Sequence, residues 1–584
     1  MELPKTSNSF VLTIIPSCAW SKTSLLVGVT YPDALLTGSK RFMLKLGFSK
    51  NISVPKHSPS EAHSDTPCKA LGVAGLLERL NAILGTSHTL YGPRIYSLLE
   101  VFLTQDLDFG TAYAHLRPFW YHDLTDVKDE LRIREERDSM MREDVLVKKR
   151  IIDKSVPPRR VWDLYSNRVV PWWVARQCPW AISHAWVEEK VRGNVLTPIN
   201  GFEWPVPIPK DTNLDLIRIE MLNAGAEYAW LDVLCLRQVD GKREDLRAKE
   251  WKVDVPTVGW AYSGPARFEP IVYYYFNGLG RPLRMKAGDF ESDRSWFKRV
   301  WTLQEFSHRR LIGGDTGDDY AMAEEVREEF DQKLLFLEII GDRMADVFTA
   351  LSYMRHRVCT NPIDKIAGMV YLLSMSSIPA YYEMQSIEDA WTALVDMLST
   401  RERGNFFFAY PKPGNGNKAW RPSWNQAMDD ALTLPPWPRA ASWADTVKHT
   451  EDTDADWIEA DCIESGYVQG LAEGLHDGAH RYGELTVKDY VGASHTFKIR
   501  ADHQYRIPDG LYALVGSHPF PSGKFEKQRW VIGRRLPEGK FEKVSVFHIP
   551  DHNEVKRLYE LYIDTYARTF LVWCMYIFGN RGNF

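Results

Sequence analysis

The feature that most constrains this chain is an alternation of apolar runs and helical patterns between residues 161 and 315. PWAISHAW (179–186), YAWLDVLCL (228–236) and PIVYYYF (270–276) are apolar and rich in β-branched or aromatic residues, and RLIGG (310–314) follows them. Runs of this length and composition read as strands. Between them, NLDLIRIEMLNAG (213–225) sets Leu214, Ile217, Met221 and Leu222 at helical spacing, with Asp211 or Asn213 as cap and Gly225 as stop. REDLRAKEWKVDVPTVGWAYS (243–263) reads as helix that Pro256 either kinks or divides, and DRSWFKRVWTLQEFSHR (293–309) as another. Such alternation predicts the α/β class, a parallel sheet with helices on both faces. Ligands of these sheets bind beyond the carboxyl ends of the strands, where SHAW and LCLRQ fall.

The flanks differ in pattern. Residues 1–47 read as short mixed strands, 51–69 as a Pro/Ser/His-rich flexible loop, and 70–150 as helical, so 1–156 is expected to be mixed and mostly helical. SVPPRR (155–160) marks a boundary, because consecutive prolines disfavour helix. The α/β unit then spans 157–375, with helices after about 315, and 376–456 reads as a helical, Pro-rich connection. In 457–584 the segments GLYALVG, RWVIGRR and KVSVFHI alternate with turn residues, which predicts a β-rich domain.

Bulk properties exclude several classes. A net charge of −5 leaves no large basic footprint for nucleic acid. The seven cysteines (18, 68, 178, 235, 359, 462 and 574) are scattered with no CxxC pair, which argues against a disulfide framework or structural zinc and for a reducing, cytoplasmic location. The N-terminal apolar run has only Lys5 ahead of it and reads as strand rather than signal peptide. FLVWCMYIF (570–578) is far shorter than the roughly 20 apolar residues of a membrane helix. No His/Asp/Glu group has metal-ligand spacing, so no metal and no bound cofactor are expected.

The residues that carry chemistry cluster in three blocks. In KRVWTLQEF (298–306) a helix would place Trp301 and Glu305 on one face, with Glu305 either serving a ligand or pairing with Arg309 at i,i+4. Ser183, His184 and Trp186 follow the first strand and face the expected cleft. Asp232 and Cys235 lie on or after the second. Cys235 with His184 would make a thiol nucleophile, or else a buried inert cysteine. Asp232 in an apolar run requires partners, either backbone N–H groups or an arginine. Tyr273–Phe276 reads as core, and GGDTGDDY (313–320), which lacks P-loop or EF-hand spacing, as an acidic surface turn.

WAISHAW (180–186), YAWLDVLCLRQ (228–238) and RVWTLQE (299–305), in this order, resemble the three signature blocks of the fungal heterokaryon incompatibility (HET) domain, as do RVWDLYSNRVVPWW before them and NPIDKIAGMVYLL (361–373) after. Val187 stands where many members have glycine. The resemblance covers about 157–375. It implies a module of self/non-self recognition that triggers cell death, remotely TIR-like and so flavodoxin-like in fold. Several TIR domains cleave NAD⁺ with a glutamate in a setting similar to WTLQE, which makes Glu305 the candidate catalytic residue and NAD⁺ the candidate substrate. Ser183, His184, Trp186, Asp232, Cys235 and Trp301 are then candidate ligand-binding residues, and self-association through the domain is the expected partnership. Nicotinamide leaves NAD⁺ as a neutral group, so one carboxylate stabilising an oxocarbenium-like ribose suffices, and an indole stacks on the cationic ring. The alternative is a non-enzymatic signalling module whose motif residues are structural.

Overall fold

The computed structural model describes residues 58–578 apart from 60, 92, 266–269, 315–321, 342–346, 374, 430–446, 451–453, 474–479, 490, 518–527, 538–539 and 564–570. The strands expected in 1–47, residues 51–57 and 60 of the expected loop, and the acidic turn from Asp315 onward lie outside the described residues; the rest of that loop is corrected, since Glu61–Ser64 is a helical turn and a helix begins at Cys68.

The protein is mixed α/β. Its central sheet has six strands: β1 (Arg160–Asp163), β2 (Arg168–Pro171), β3 (Trp180–His184), β4 (Tyr228–Trp230), β5 (Val272–Tyr275) and β6 (Arg310–Ile312), in the spatial order β6-β5-β3-β4-β1-β2. β6, β5, β3 and β4 run parallel, whereas β1 pairs antiparallel with both β4 and β2. The fully parallel expectation is therefore corrected at one edge. A short turn joins β1 to β2, and adjacent strands with a short connection can only pair antiparallel. The apolar runs become strands because they are buried: all of Val272–Tyr275 and Tyr228–Trp230 are inaccessible.

The helix after β3 forms as its pattern requires. Leu214–Asn223 is capped by Asn213, whose side chain accepts from the Asp215 and Leu216 N–H groups, and it is followed by Gly225 at φ 97°. Pro256 falls between two helices, Glu244–Asp254 and Gly259–Ser263, so it divides rather than kinks. Two readings are corrected. YAWLDVLCL is strand only through Trp230, and Asp232–Cys235 is a single helical turn. The helix expected over 293–309 is absent: only Trp296–Lys298 and Trp301–Leu303 form 3-10 turns. Arg299 between them is extended (φ −74°, ψ 140°) and bridges in parallel to Val358. That tertiary pairing outweighs local helix propensity, which is worth only tenths of a kcal/mol per residue. The i,i+4 geometry of Glu305 and Arg309 is lost with the helix.

On the N-terminal side, helices at 68–84, 93–104 and 109–116 enclose a core that includes Leu76, Leu80, Phe109, Tyr113 and Trp120. Buried ion pairs join this bundle to the sheet: Arg168 to Asp108 at 2.9 Å and Arg117 to Asp163 at 3.4 Å.

The C-terminal part is β-rich as expected. β7 (Ala455–Gln469), β8 (Arg481–Lys488), β9 (Ser494–Ala501), β10 (Gly510–Gly516), β11 (Arg529–Arg535) and β12 (Lys540–His548) pair antiparallel around a ring, in which β10 returns to β7 and β12 meets β9 at Arg500–His548. Ring closure removes most free edges. Leu571–Phe578 adds as a further strand on β7, so FLVWCMYIF is spent on sheet pairing. Among the described residues, no helix is long and apolar enough to cross a membrane.

Candidate functional site

Three of the sequence blocks meet at the carboxyl ends of the parallel strands. Ser183 and His184 are the last residues of β3, opposite Tyr274 and Tyr275 of β5. Asp232 opens the helical turn just beyond β4. Glu305 arrives on the irregular segment that replaces the expected helix, and its position is fixed through its own backbone. Tyr274 donates its hydroxyl to the Glu305 carbonyl at 2.8 Å and accepts from the Ser307 N–H at 2.9 Å. Tyr274 is core as expected, but its tip sets the register of the carboxylate.

The Glu305 side chain is half-buried and ends on Ser183. The Ser183 hydroxyl donates to Glu305 Oε2 at 2.5 Å and accepts from the Trp296 indole N–H at 2.7 Å. An indole N–H can only donate, so the serine proton has a single direction left, toward the carboxylate. Burial pushes the Glu305 carboxyl up to about 7; the Ser183 bond works against that, Asp232 adds to it, and His184 and Arg299 oppose it. Some of the Glu305 surface reaches solvent, while the charge is surrounded by protein on most sides.

His184 and Asp232 form a second pair, Nε2 to Oδ1 at 3.0 Å. Asp232 also accepts from the Val233 N–H at 2.7 Å, so of the two kinds of partner expected for it the backbone donor is present, joined by a histidine. Burial disfavours both charges, yet their mutual attraction prevails: the imidazole is raised and the Asp232 carboxyl lowered from its ordinary value. Trp186, half-buried, stacks on the His184 ring with centroids 5.8 Å apart and an interplanar angle of 26°. Val187 packs where Gly278 (φ +116°) has no side chain: a Cβ there would lie 2.8 Å from Val187 Cγ1.

Two expected site residues have other roles. Cys235 is 1% exposed, and burial pushes its thiol up to about 12, so it is sealed within the fold and supplies no thiolate to the cleft. Trp301 lies on the second 3-10 turn, half-buried, where its side chain favours the charged form of the Asp364 carboxyl. It does not share a helix face with Glu305.

Three further residues escaped the sequence reading. Trp296 orients Ser183. Arg299 is half-buried; burial lowers its pKa, and Glu305, Asp232 and Asp364 oppose that from a distance. Arg357 is buried and donates to the Arg299 carbonyl at 2.5 Å and to Thr302 Oγ1 at 2.8 Å, which braces the turn leading to Glu305. Trp296 and Arg299 lie with Trp301 in the segment 293–309 that the sequence singles out, whereas nothing local marks Arg357. Among the described residues Asp396, His449 and Asp456 also converge. Lys418 lies 3.2 Å from Asp456 and gives that group a cation of its own.

Ser183→Ala is expected to leave the buried Trp296 N–H unsatisfied, at a cost of about 1–3 kcal/mol, and to raise the Glu305 pKa further by removing a donor to its charged form. Thermal unfolding and the pH midpoint of Glu305 titration, followed by carboxyl infrared absorption, check both. An unchanged midpoint would show that the serine does not act on the carboxylate.

The fold and the site define a mixed α/β protein with a proton-poised carboxylate at the carboxyl end of a parallel strand set. The chain matches no protein-family model, no curated protein and no solved structure.

Proposed function

We propose that residues 157–375 form a HET-type, remotely TIR-like module that hydrolyses the nicotinamide–ribose bond of NAD⁺, and that the protein is a fungal cell-death effector of non-self recognition. The single observation that carries this reading is the environment of Glu305: a half-buried carboxylate beyond the strand ends, held by a serine hydroxyl and not clamped by an arginine. Two features support the fold part. The parallel strands take the order β4-β3-β5-β6, which is second, first, third, fourth along the chain, the flavodoxin-like order over four strands. Glu305 also lies at the β3/β5 switch point where such folds bind ligands.

In this mechanism the C–N bond to nicotinamide breaks with its electron pair moving to the ring nitrogen, and neutral nicotinamide departs. Ionised Glu305 stabilises the ribosyl cation, and water then bonds to the anomeric carbon and loses its proton to the carboxylate or solvent. The rival reading, a non-enzymatic module signalling through self-association, is favoured by the complete burial and bonding of Ser183.

The test is nicotinamide release from NAD⁺ by the full chain, with Glu305→Ala beside it and products separated by chromatography. Release that the substitution abolishes is the expected result. No release from a folded, demonstrably oligomerised sample would transfer the motif residues to the structural reading.

A further inference from the structure

A half-buried positive charge in a folded protein ordinarily holds a counter-charge. Arg159, Arg160 and Arg168 follow that rule, with carboxylates at 2.7, 2.6 and 2.9 Å. Two arginines beside the site do not. The Arg299 Cζ lies 5.8 Å from the centroid of the Trp186 ring, and the Arg192 Cζ lies 5.4 Å from the same centroid. Both are half-buried, and neither forms an ion pair within 4.0 Å of a carboxylate among the described residues. Asp232, Glu305 and Asp364 act on Arg299 only from beyond that distance. A guanidinium remains charged at any physiological pH, so the positive charge is permanent, and its donors match phosphate oxygens in pairs.

The charges around Trp186 are therefore sorted. Carboxylates lie toward the strand ends at Asp232 and Glu305, while the arginines gather at the indole. A ligand that complements both is cationic at one end and diphosphate-bearing further along. We propose that Arg192 and Arg299, gathered at Trp186, form a subsite for the diphosphate of a nucleotide ligand. The inference deepens the reading of the Glu305 site given above and rests on it for the ligand's orientation.

Calorimetric titration of the full chain with ADP and, separately, with inorganic pyrophosphate tests the subsite without requiring turnover. ADP is expected to bind the wild-type protein and to bind the Arg192→Gln/Arg299→Gln double variant at least about tenfold more weakly. Pyrophosphate is expected to bind more weakly than ADP but with the same dependence on the arginines. Arg192→Gln alone and Arg299→Lys, each checked by thermal melting, guard against misfolding of the double variant; an intermediate loss in the first and partial retention in the second are expected. Equal ADP affinity in wild type and double variant, or no binding of either probe to the folded protein, would overturn the subsite. Pyrophosphate binding as tight as ADP would overturn the nucleotide assignment. Arginine-dependent ADP binding without nicotinamide release would keep the subsite and remove the hydrolase reading, so the two failures are distinct.

Discussion

Glu305→Gln is expected to lower nicotinamide release about 100- to 1,000-fold while making the protein more stable above neutral pH. The two effects share one cause. The carboxyl is raised from 4.5 to about 7, chiefly by burial, so the fold favours its neutral form. Below 4.5 the group is protonated in both folded and unfolded chains, and ionisation costs the fold nothing. Between 4.5 and about 7 the unfolded chain releases the proton and the folded chain retains it, so stability falls as pH rises. Above about 7 both forms are ionised and the full penalty, about 1–3 kcal/mol for this partly accessible group, is present. Glutamine has no such penalty, so the gain in stability should grow across that window and then level off. Activity of the wild type should run the other way, rising through a midpoint near 7 because the ionised carboxylate is the working form. Denaturant melts at about pH 5 and about pH 8, paired with a pH–rate profile, read both curves. A glutamine variant no more stable than wild type at the higher pH would show that the carboxylate is well solvated and not poised.

Lys543→Ala should produce the largest loss of stability, about 3–5 kcal/mol, through loss of packing and of a buried cation's partners. Lys543 is 1% exposed on β12, and its Nζ reaches the carbonyls of Phe407 at 2.7 Å, Phe406 at 3.4 Å and Trp420 at 3.5 Å. Phe406 and Phe407 lie in the last turn of the helix Thr400–Ala409, where the helix dipole favours a cation. Burial pushes the ammonium's pKa well below the usual lysine range. The lysine thus fastens the β-ring to the connecting region that follows the central unit. Lys543→Met fills the same volume but offers no donor, and should cost about 1–3 kcal/mol. Calorimetric unfolding of both variants separates the two contributions; a methionine variant more stable than wild type would mean that desolvating the ammonium costs more than the three carbonyls return.

Whatever depends on a continuous local pattern is legible in the residues alone. Apolar runs at 180–184, 228–230 and 272–275 specify buried strands because every side chain in them has to leave water. Asn213, the spaced leucines and Gly225 specify one helix from cap to stop. The alternating segments after 457 specify strands, though not that they close into a ring, since closure depends on β10 returning to β7 across the chain. The sequence also places Ser183, His184 and Asp232 at strand ends, because the end of an apolar run is visible in composition. The tertiary structure alone decided the segment 293–309. Its local pattern is helical, but Arg299 pairs with Val358 and Arg357 holds the following turn, contacts between residues far apart in sequence that no window of residues contains. That pairing carries Glu305 onto Ser183 and away from Trp301, and leaves Arg299 beside Trp186 with no carboxylate within 4.0 Å among the described residues. Propensity acts within a turn or two at tenths of a kcal/mol per residue, whereas a buried backbone bridge and a charge-assisted bond act together at several times that, and so the longer-range contacts set the site.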